Sequence, residues 1–299
     1  GRRGFWMVLM LSLAACATAG HSLPRAALDA WLQNATGNDA YLGAVAVVAD
    51  HDAVVYRGVS GHADLQGRRP LREDAIFRIY SMTKPITSVA ALMLVEEGRL
   101  RLDDPVAYYL PAFASLRRVT GGDVDDPQLA TVTGPLTIRH LLTHTAGFAT
   151  GGDDIRVASA LLQRQAPEDA SDLAGYADRV ARAPLADEPG TRFRYDGVNT
   201  EVLARVIEVA SGQPFDHFLQ TRVFSPLGMR DTGFEVPATQ RGRVIALTSR
   251  GADGRRVLAD TPSAGTPGIA LRAYTSGAGG LYSTADDYLR FARMLANGG

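Results

Sequence analysis

Lysine is almost absent from this chain. Of its 31 lysine and arginine residues one is lysine, Lys84, and the other 30 are arginine. Arginine keeps its proton at any physiological pH, whereas a lysine amine taken out of water can release it and serve as a base. A chain that meets its need for positive charge with arginine and keeps one lysine marks position 84 for proton chemistry. Cysteine is as scarce. Cys16 stands alone, which excludes an intrachain disulfide and a cysteine metal cluster. An excess of charge is lacking too: a net charge of -1 and a pI ≈ 6.7 leave no electrostatic footprint for nucleic acid. Beyond the N-terminus no apolar run is long enough to span a bilayer.

Several catalytic signatures are missing as well. No serine lies in Gly-x-Ser-x-Gly, which argues against an α/β-hydrolase nucleophile elbow. There is no His-Glu-x-x-His, no P-loop and no Rossmann glycine pattern. Gly277-Ala278-Gly279-Gly280 lacks the glycine spacing of a phosphate loop and reads as a tight turn or a close backbone approach. His140 and His144 have the one-turn spacing of a metal pair, but Leu141-Leu142 between them and the lack of a nearby third ligand point to packed, structural histidines.

What is present begins with the N-terminus. Arg2-Arg3 precede the apolar stretch Phe5 to Ala15, which ends in Leu13-Ala14-Ala15-Cys16. That is a secretory signal pattern, too short for a membrane span. Its end resembles a bacterial lipobox, which implies cleavage before Cys16, lipidation of that residue and a membrane-anchored, exported protein. Arg2-Arg3-Gly4-Phe5 also looks, more weakly, like a twin-arginine export signal. Residues 1–20 are thus expected to be signal and linker, and 21–299 one hydrolase-sized domain. Glycine at residue 1 and the chain end at Gly299 are expected to belong to a longer reading frame.

Along the body, Arg25 to Gln33 reads as a helix. The β-rich runs Gly43 to Ala49 and Ala53 to Val59 flank Asp50-His51-Asp52 as a hairpin. The apolar run Ala75 to Ile79 feeds Ser81, and Ile86, Val89, Ala90, Met93 and Leu94 recur at helical spacing to Glu97. Residues 99 to about 260 read as helical pieces joined by loops, including Leu136–His144 and a stripe Val198, Val202, Leu203, Val206 and Ile207 closed by Gly212. Ser283-Thr284-Ala285-Asp286 reads as a capping box for a last helix. The order implies an α+β fold with a helical subdomain inserted at about 99–260.

The chemistry gathers at Ser81-Met82-Thr83-Lys84-Pro85. Ser81 falls at the start of a buried helix with Lys84 one turn on and on the same face. A helix start offers unpaired N–H groups and a positive dipole end, which suit a developing oxyanion. Tyr195, delivered by Glu188-Pro189-Gly190 just before the helix near Val198, gains weight only beside this pair, because a serine nucleophile needs a partner for its proton.

These segments together resemble the serine β-lactamase and penicillin-binding-protein superfamily, in its class C-like branch with the family VIII carboxylesterases. The resemblance runs from about residue 27 to 299. It rests on Phe77 to Lys84 (Ser-x-x-Lys), Thr137 to Phe148, Glu188 to Tyr195, and Ser276 to Gly299. It implies an antiparallel sheet flanked by helices. It also implies Ser81 as the acylated nucleophile, Lys84 and Tyr195 as base and proton shuttle, the Ser81 N–H as half of the oxyanion hole, and no metal or organic cofactor.

Two departures matter. The pattern Tyr-x-Asn would put asparagine at 197, where Gly197 stands, with Asn199 two residues on. This tilts the expectation from β-lactams and peptides toward short acyl esters. The family's third box lies on a C-terminal strand beyond residue 299, so the sheet strands and second oxyanion donor that follow it are expected outside this chain. The alternatives are a β-lactamase or D,D-peptidase acting on cell-wall amides, and a binding lipoprotein that keeps the scaffold without catalysis. Residues 21–299 by themselves are expected to show little esterase activity.

Overall fold

The computed structural model describes residues 24–37 and 40–299. The signal pattern and Cys16 lie outside the described residues. Helix α1 (Arg25–Gly37) runs four residues beyond the expected Gln33 and covers the hairpin of β1 (Gly43–Ala49) and β2 (Val54–Gly61). The hairpin is antiparallel, with Val45 opposite Val59 and Val48 opposite Tyr56. Tyr56 ties helix to hairpin by donating its hydroxyl to Asp29 Oδ1 at 2.8 Å. Strand β3 (Phe77–Arg78) leads through a 3-10 turn (Tyr80–Met82) into α2 (Thr83–Glu96).

The inserted stretch departs from expectation. It holds the helices α3 (Ile138–Leu142), α4 (Arg156–Arg164), α5 (Leu173–Ala181), α6 (Gly197–Ser211), α7 (Phe215–Leu219) and α8 (Ser225–Leu227). It also holds two antiparallel hairpins: β4 (Arg117–Gly122) with β5 (Pro127–Thr131), and β6 (Thr248–Arg250) with β7 (Arg256–Leu258). The segment is therefore not all-helical. Strands of three to six residues rich in arginine, glycine and threonine carry too little apolar alternation to stand out, and Asp123-Val124-Asp125-Asp126 makes the reversal by an Asx-type turn in which Asp123 Oδ1 accepts the N–H groups of Asp125 and Asp126. The helix expected over Leu136–His144 shortens to Ile138–Leu142. Thr137 caps it, and His140 completes a capping box by accepting the Thr137 N–H on Nδ1 at 3.2 Å.

The chain continues through α9 (Pro262–Gly265) to β8 (Tyr282–Ser283), which pairs with β3, and α10 (Ala285–Ala296). The cap of α10 is Thr284, one residue later than expected, and its hydroxyl accepts the Asp287 N–H. Asp287 then does not reach back to its own helix start. Its carboxylate accepts from the Asp231 N–H at 2.7 Å and from the Thr232 hydroxyl at 2.9 Å instead. Among the described residues the strands form four two-stranded ladders, and the architecture is α+β as expected.

The core is centred on α2 and α6. Ile86, Ala90, Ala91 and Leu94 from α2 and Val202, Leu203, Val206 and Ile207 from α6 are shielded from water almost completely. The expected α6 stripe is thus the buried face, and Gly212 ends the helix at φ 68°, a left-handed conformation that favours glycine. Replacing Ile207 by alanine is expected to cost about 3 kcal/mol of stability. The measurement is a lower urea midpoint with an unchanged slope.

Candidate active site

The 3-10 turn aims Ser81 before the helix begins. Tyr80, the residue before it, has φ 41°, a region L-residues with a Cβ seldom adopt. The turn is held at both ends: the Ile79 N–H donates to Leu281 O at 3.0 Å, and the Met82 N–H returns to Ile79 O at 2.9 Å. Ser81 is left exposed and Lys84 half-buried one turn later. The lysine ammonium donates to Ser81 Oγ at 2.9 Å and to the Ala278 carbonyl at 2.9 Å. The only lysine is therefore bonded to the serine three residues before it. Its second acceptor comes from the glycine-rich turn, which does make the close approach read from the sequence: a Cβ on Gly277 would stand 2.6 Å from Ala204 Cβ.

Tyr195 completes the group. Lys84 Nζ lies 5.0 Å from the centre of the phenol ring. Partial burial pushes the phenol's pKa up, but hydrogen bonding with Ser81 and Lys84 and the charge of Lys84 outweigh it and hold the pKa below the ordinary tyrosine value. The structure thus brings together Ser81, Lys84 and Tyr195, the first two from one segment and the third from more than a hundred residues further along the chain.

His144 has a part that helical spacing did not reveal. It has left α3 and sits at φ 55°, where its carbonyl accepts the Arg194 N–H at 2.9 Å and its Nδ1 accepts the Asp196 N–H at 3.2 Å. Its ring lies 4.8 Å from that of Tyr195, tilted by 32°. The histidine thereby grips the backbone on both sides of Tyr195 and packs on its ring. Burial, with the charge of Lys84 in support, holds its pKa below the usual histidine value, so the acceptor nitrogen stays unprotonated near neutrality. His140, in its capping box, stands apart from this group.

Asp196 secures the other side. It is buried, caps α6 by accepting the Val198 N–H at 2.7 Å, and accepts the Thr150 hydroxyl at 2.7 Å. Asn199 turns inward: it is 1% exposed and its Nδ2 reaches only the Asp196 carbonyl at 3.4 Å. It does not replace the side chain lacking at Gly197. Ser81 opens on a cleft of about 820 Å³, whose walls near the serine include Tyr80, Gly197, Val198, Ala278 and Gly279. A volume of that order suits a small organic ligand.

Chemically, the geometry offers a nucleophile in hydrogen-bond contact with an amine, a phenol with a lowered pKa, and backbone N–H groups at a helix start. Among the described residues no cluster of histidine, cysteine and carboxylate side chains has the form of a metal site.

Comparison with known proteins points the same way. The Beta-lactamase family model matches residues 28–299. The chain is 38% identical over 282 residues to esterase EstB of Burkholderia gladioli, covering 89% of this chain and 68% of that protein. It is 31% identical over 287 residues to lovastatin esterase of Penicillium rubens, covering 91% of this chain and 69% of the other. Among solved structures, EstCE1, described as a hydrolase with promiscuous acyltransferase activity, superposes with a TM-score of 0.69 at 29% identity over 87% of this chain and 68% of that one. The chain spans about two thirds of the length of these relatives.

Tyr195→Phe is expected to slow labelling of Ser81 by a fluorophosphonate about 100-fold or more. His144 gives the sign of an acid limb. Because its folded pKa is depressed, the neutral, bonded form is favoured above the ordinary histidine value, and that contribution is lost as pH falls through the folded pKa. Labelling rate and melting temperature should therefore decline together on acidification below about 6.5, and His144→Gln should flatten that decline.

Proposed function

The chain belongs to the Beta-lactamase family and is a serine hydrolase, and from that premise we propose that it is a carboxylesterase for short acyl esters, working through an acyl-enzyme on Ser81. The observation that carries the reading is the 2.9 Å contact between Lys84 Nζ and Ser81 Oγ, with Tyr195 against both. Ser81 Oγ attacks the ester carbonyl while Lys84 or Tyr195 takes its proton, and the carbonyl electron pair moves to the oxygen. The Ser81 N–H, near the start of α2, receives that developing charge. Collapse of the intermediate breaks the bond to the alcohol, which leaves with the proton just removed from serine. Water then attacks the acyl-serine through the same base and releases the acid, restoring Ser81.

Ester rather than amide substrates are supported by Gly197 at the position where an amide-holding asparagine would stand, and by the inward turn of Asn199. The esterase names of two relatives agree with this choice. The test uses the full-length protein and p-nitrophenyl esters of increasing chain length. Turnover should be highest for short acyl groups and fall by a factor of about 10⁴ or more in Ser81→Ala. Turnover retained in that variant, or nitrocefin hydrolysed faster than any ester, would overturn the reading.

The export reading is part of the same proposal. Cleavage before Cys16 and acylation of that residue would tether the hydrolase to a membrane. Mass spectrometry of the mature protein should find diacylglyceryl-modified Cys16 as the first residue. A mature N-terminus elsewhere, or an unmodified Cys16, would sink it.

A further inference from the structure

Inside α6, six residues after Tyr195, lies a carboxyl group that the reaction just described does not use. Glu201 is 5% exposed. One carboxylate oxygen accepts the Ser276 hydroxyl, and the other accepts the Gly277 N–H at 2.8 Å. Both donors belong to the turn whose Ala278 carbonyl receives Lys84. The turn is fixed elsewhere as well: Ser276 Oγ accepts the Gly279 N–H at 3.1 Å, and Thr87 of α2 donates to the Gly277 carbonyl at 2.7 Å. The links therefore run in series, from Glu201 to Ser276 and Gly277, then to the Ala278 carbonyl, then to Lys84 Nζ and Ser81 Oγ.

We propose that Glu201 is the positioning residue for Lys84: its carboxylate holds the turn that supplies the lysine's second acceptor and so sets where the amine stands beside Ser81. The inference rests on reading Ser81 as the nucleophile, and it adds a group from outside the serine–lysine–tyrosine set. An ionised carboxylate is the side chain that can accept from both donors at once. A protonated Glu201 must point its hydroxyl at one of them. Against the Gly277 N–H that would oppose two donors, so the Ser276 oxygen has to receive it and the serine's own proton must turn away.

The charge environment of Glu201 makes this exchange accessible. Burial is the main influence on it and pushes its pKa up to about 7, against the lowering effect of the Ser276 hydroxyl and the Gly277 and Ala278 N–H groups. Glu168, from the segment before α5, faces it and adds to the rise. Tyr176 of α5 and Tyr274 stand near it with pKa values raised far above the ordinary, so both stay neutral. Arg272 is committed to Glu168 at 3.1 Å, Asp196 at the head of α6 adds negative charge beside Tyr176, and the Lys84 ammonium meets the same turn at the Ala278 carbonyl. The ionised state that holds the turn is thus reached as pH rises through neutrality.

Lys84 supplies the test. Protein grown with lysine labelled with ¹³C at Cε gives a Lys84 resonance, identified by its absence in Lys84→Arg. In the wild-type protein it should shift with an inflection near pH 7, and the rate of Ser81 labelling by a fluorophosphonate should share that inflection. Glu201→Gln keeps an acceptor for Gly277 and cannot ionise. It should fold, label at Ser81 and lose the inflection in both measurements. Glu201→Ala should lower the labelling rate about 100-fold through misplacement of the amine. The proposal is overturned if the Glu201→Gln resonance and rate superpose on the wild type from about pH 5 to about pH 9, or if the inflection disappears in His144→Gln and persists in Glu201→Gln. A failure of the nucleophile reading looks different: the probe's adduct maps away from Ser81 while the resonance still loses its inflection in Glu201→Gln.

Discussion

The packing of α2 against α6 is the constraint on which the site depends. Each helix presents its chemistry at its N-terminal end: Ser81 and Lys84 at the entry to α2, and Tyr195 one residue before the cap of α6. Neither end carries a complete reaction centre. They meet because apolar side chains along both helices are buried against one another over several turns, and a shift of one helix would separate serine from tyrosine. The third participant is pressed onto the same pair. A Cβ at Gly277 would stand 2.6 Å from Ala204 Cβ and 2.9 Å from the Thr200 carbonyl, so glycine is required for the turn to lie this close to α6. Thr87, wholly buried on α2, donates its hydroxyl to the Gly277 carbonyl. Hydrophobic packing sets the distance between the helices, and the turn fixes their register.

The polar groups around the serine are held in a consistent charge state. Lys84 brings the positive charge that pulls the pKa of Tyr195 down and also helps to pull that of His144 down. The same ammonium therefore eases ionisation of the phenol and discourages protonation of the imidazole that anchors it. A second positive charge on His144 would compete with the Lys84–Ser81 contact and would remove the acceptor of the Asp196 N–H. In a partly buried site such couplings are stronger than they would be in water.

Legibility in the sequence followed locality. Ser81 and Lys84 are one helical turn apart, so spacing alone put them on one face, and the apolar stripe of α6 announced its own burial. A Pro-Gly turn and a helix start bracket Tyr195 within a few residues, but only the presence of Ser81 and Lys84 gives that tyrosine chemical weight. Leu141-Leu142 between His140 and His144 point to structural histidines of a packed helix, and nothing local shows that the chain leaves the helix at His144 with φ 55° and meets a segment some fifty residues further on. The capping box expected over Ser283–Asp286 fails in the same way: Thr284 caps the helix, and Asp286 accepts from Arg57 of β2, a partner that only the fold brings near. The hairpins at 117–131 and 248–258 escaped because their pairing is satisfied by backbone groups while their side chains stay largely at the surface.

The scarcity of lysine acquires a physical reason from what Lys84 touches. Elsewhere in the molecule arginine meets carboxylates and carbonyls with its fork: Arg139 on Asp103, Arg243 on Asp231 and Asp74, Arg194 on Asp187 and Asp154. Those contacts use planar, multiple donors and need no proton transfer. At position 84 the hydrogen-bond acceptors are two neutral oxygens, Ser81 Oγ and the Ala278 carbonyl, with a phenol face alongside. Five guanidinium N–H groups would outnumber these acceptors and leave donors stranded beside the aromatic ring, and none of them could be surrendered as a proton. A compact amine with three donors fits the two oxygens and retains the option of losing one proton to the reaction. The residue that is rare in the composition is the one whose geometry and acid–base range the site requires together.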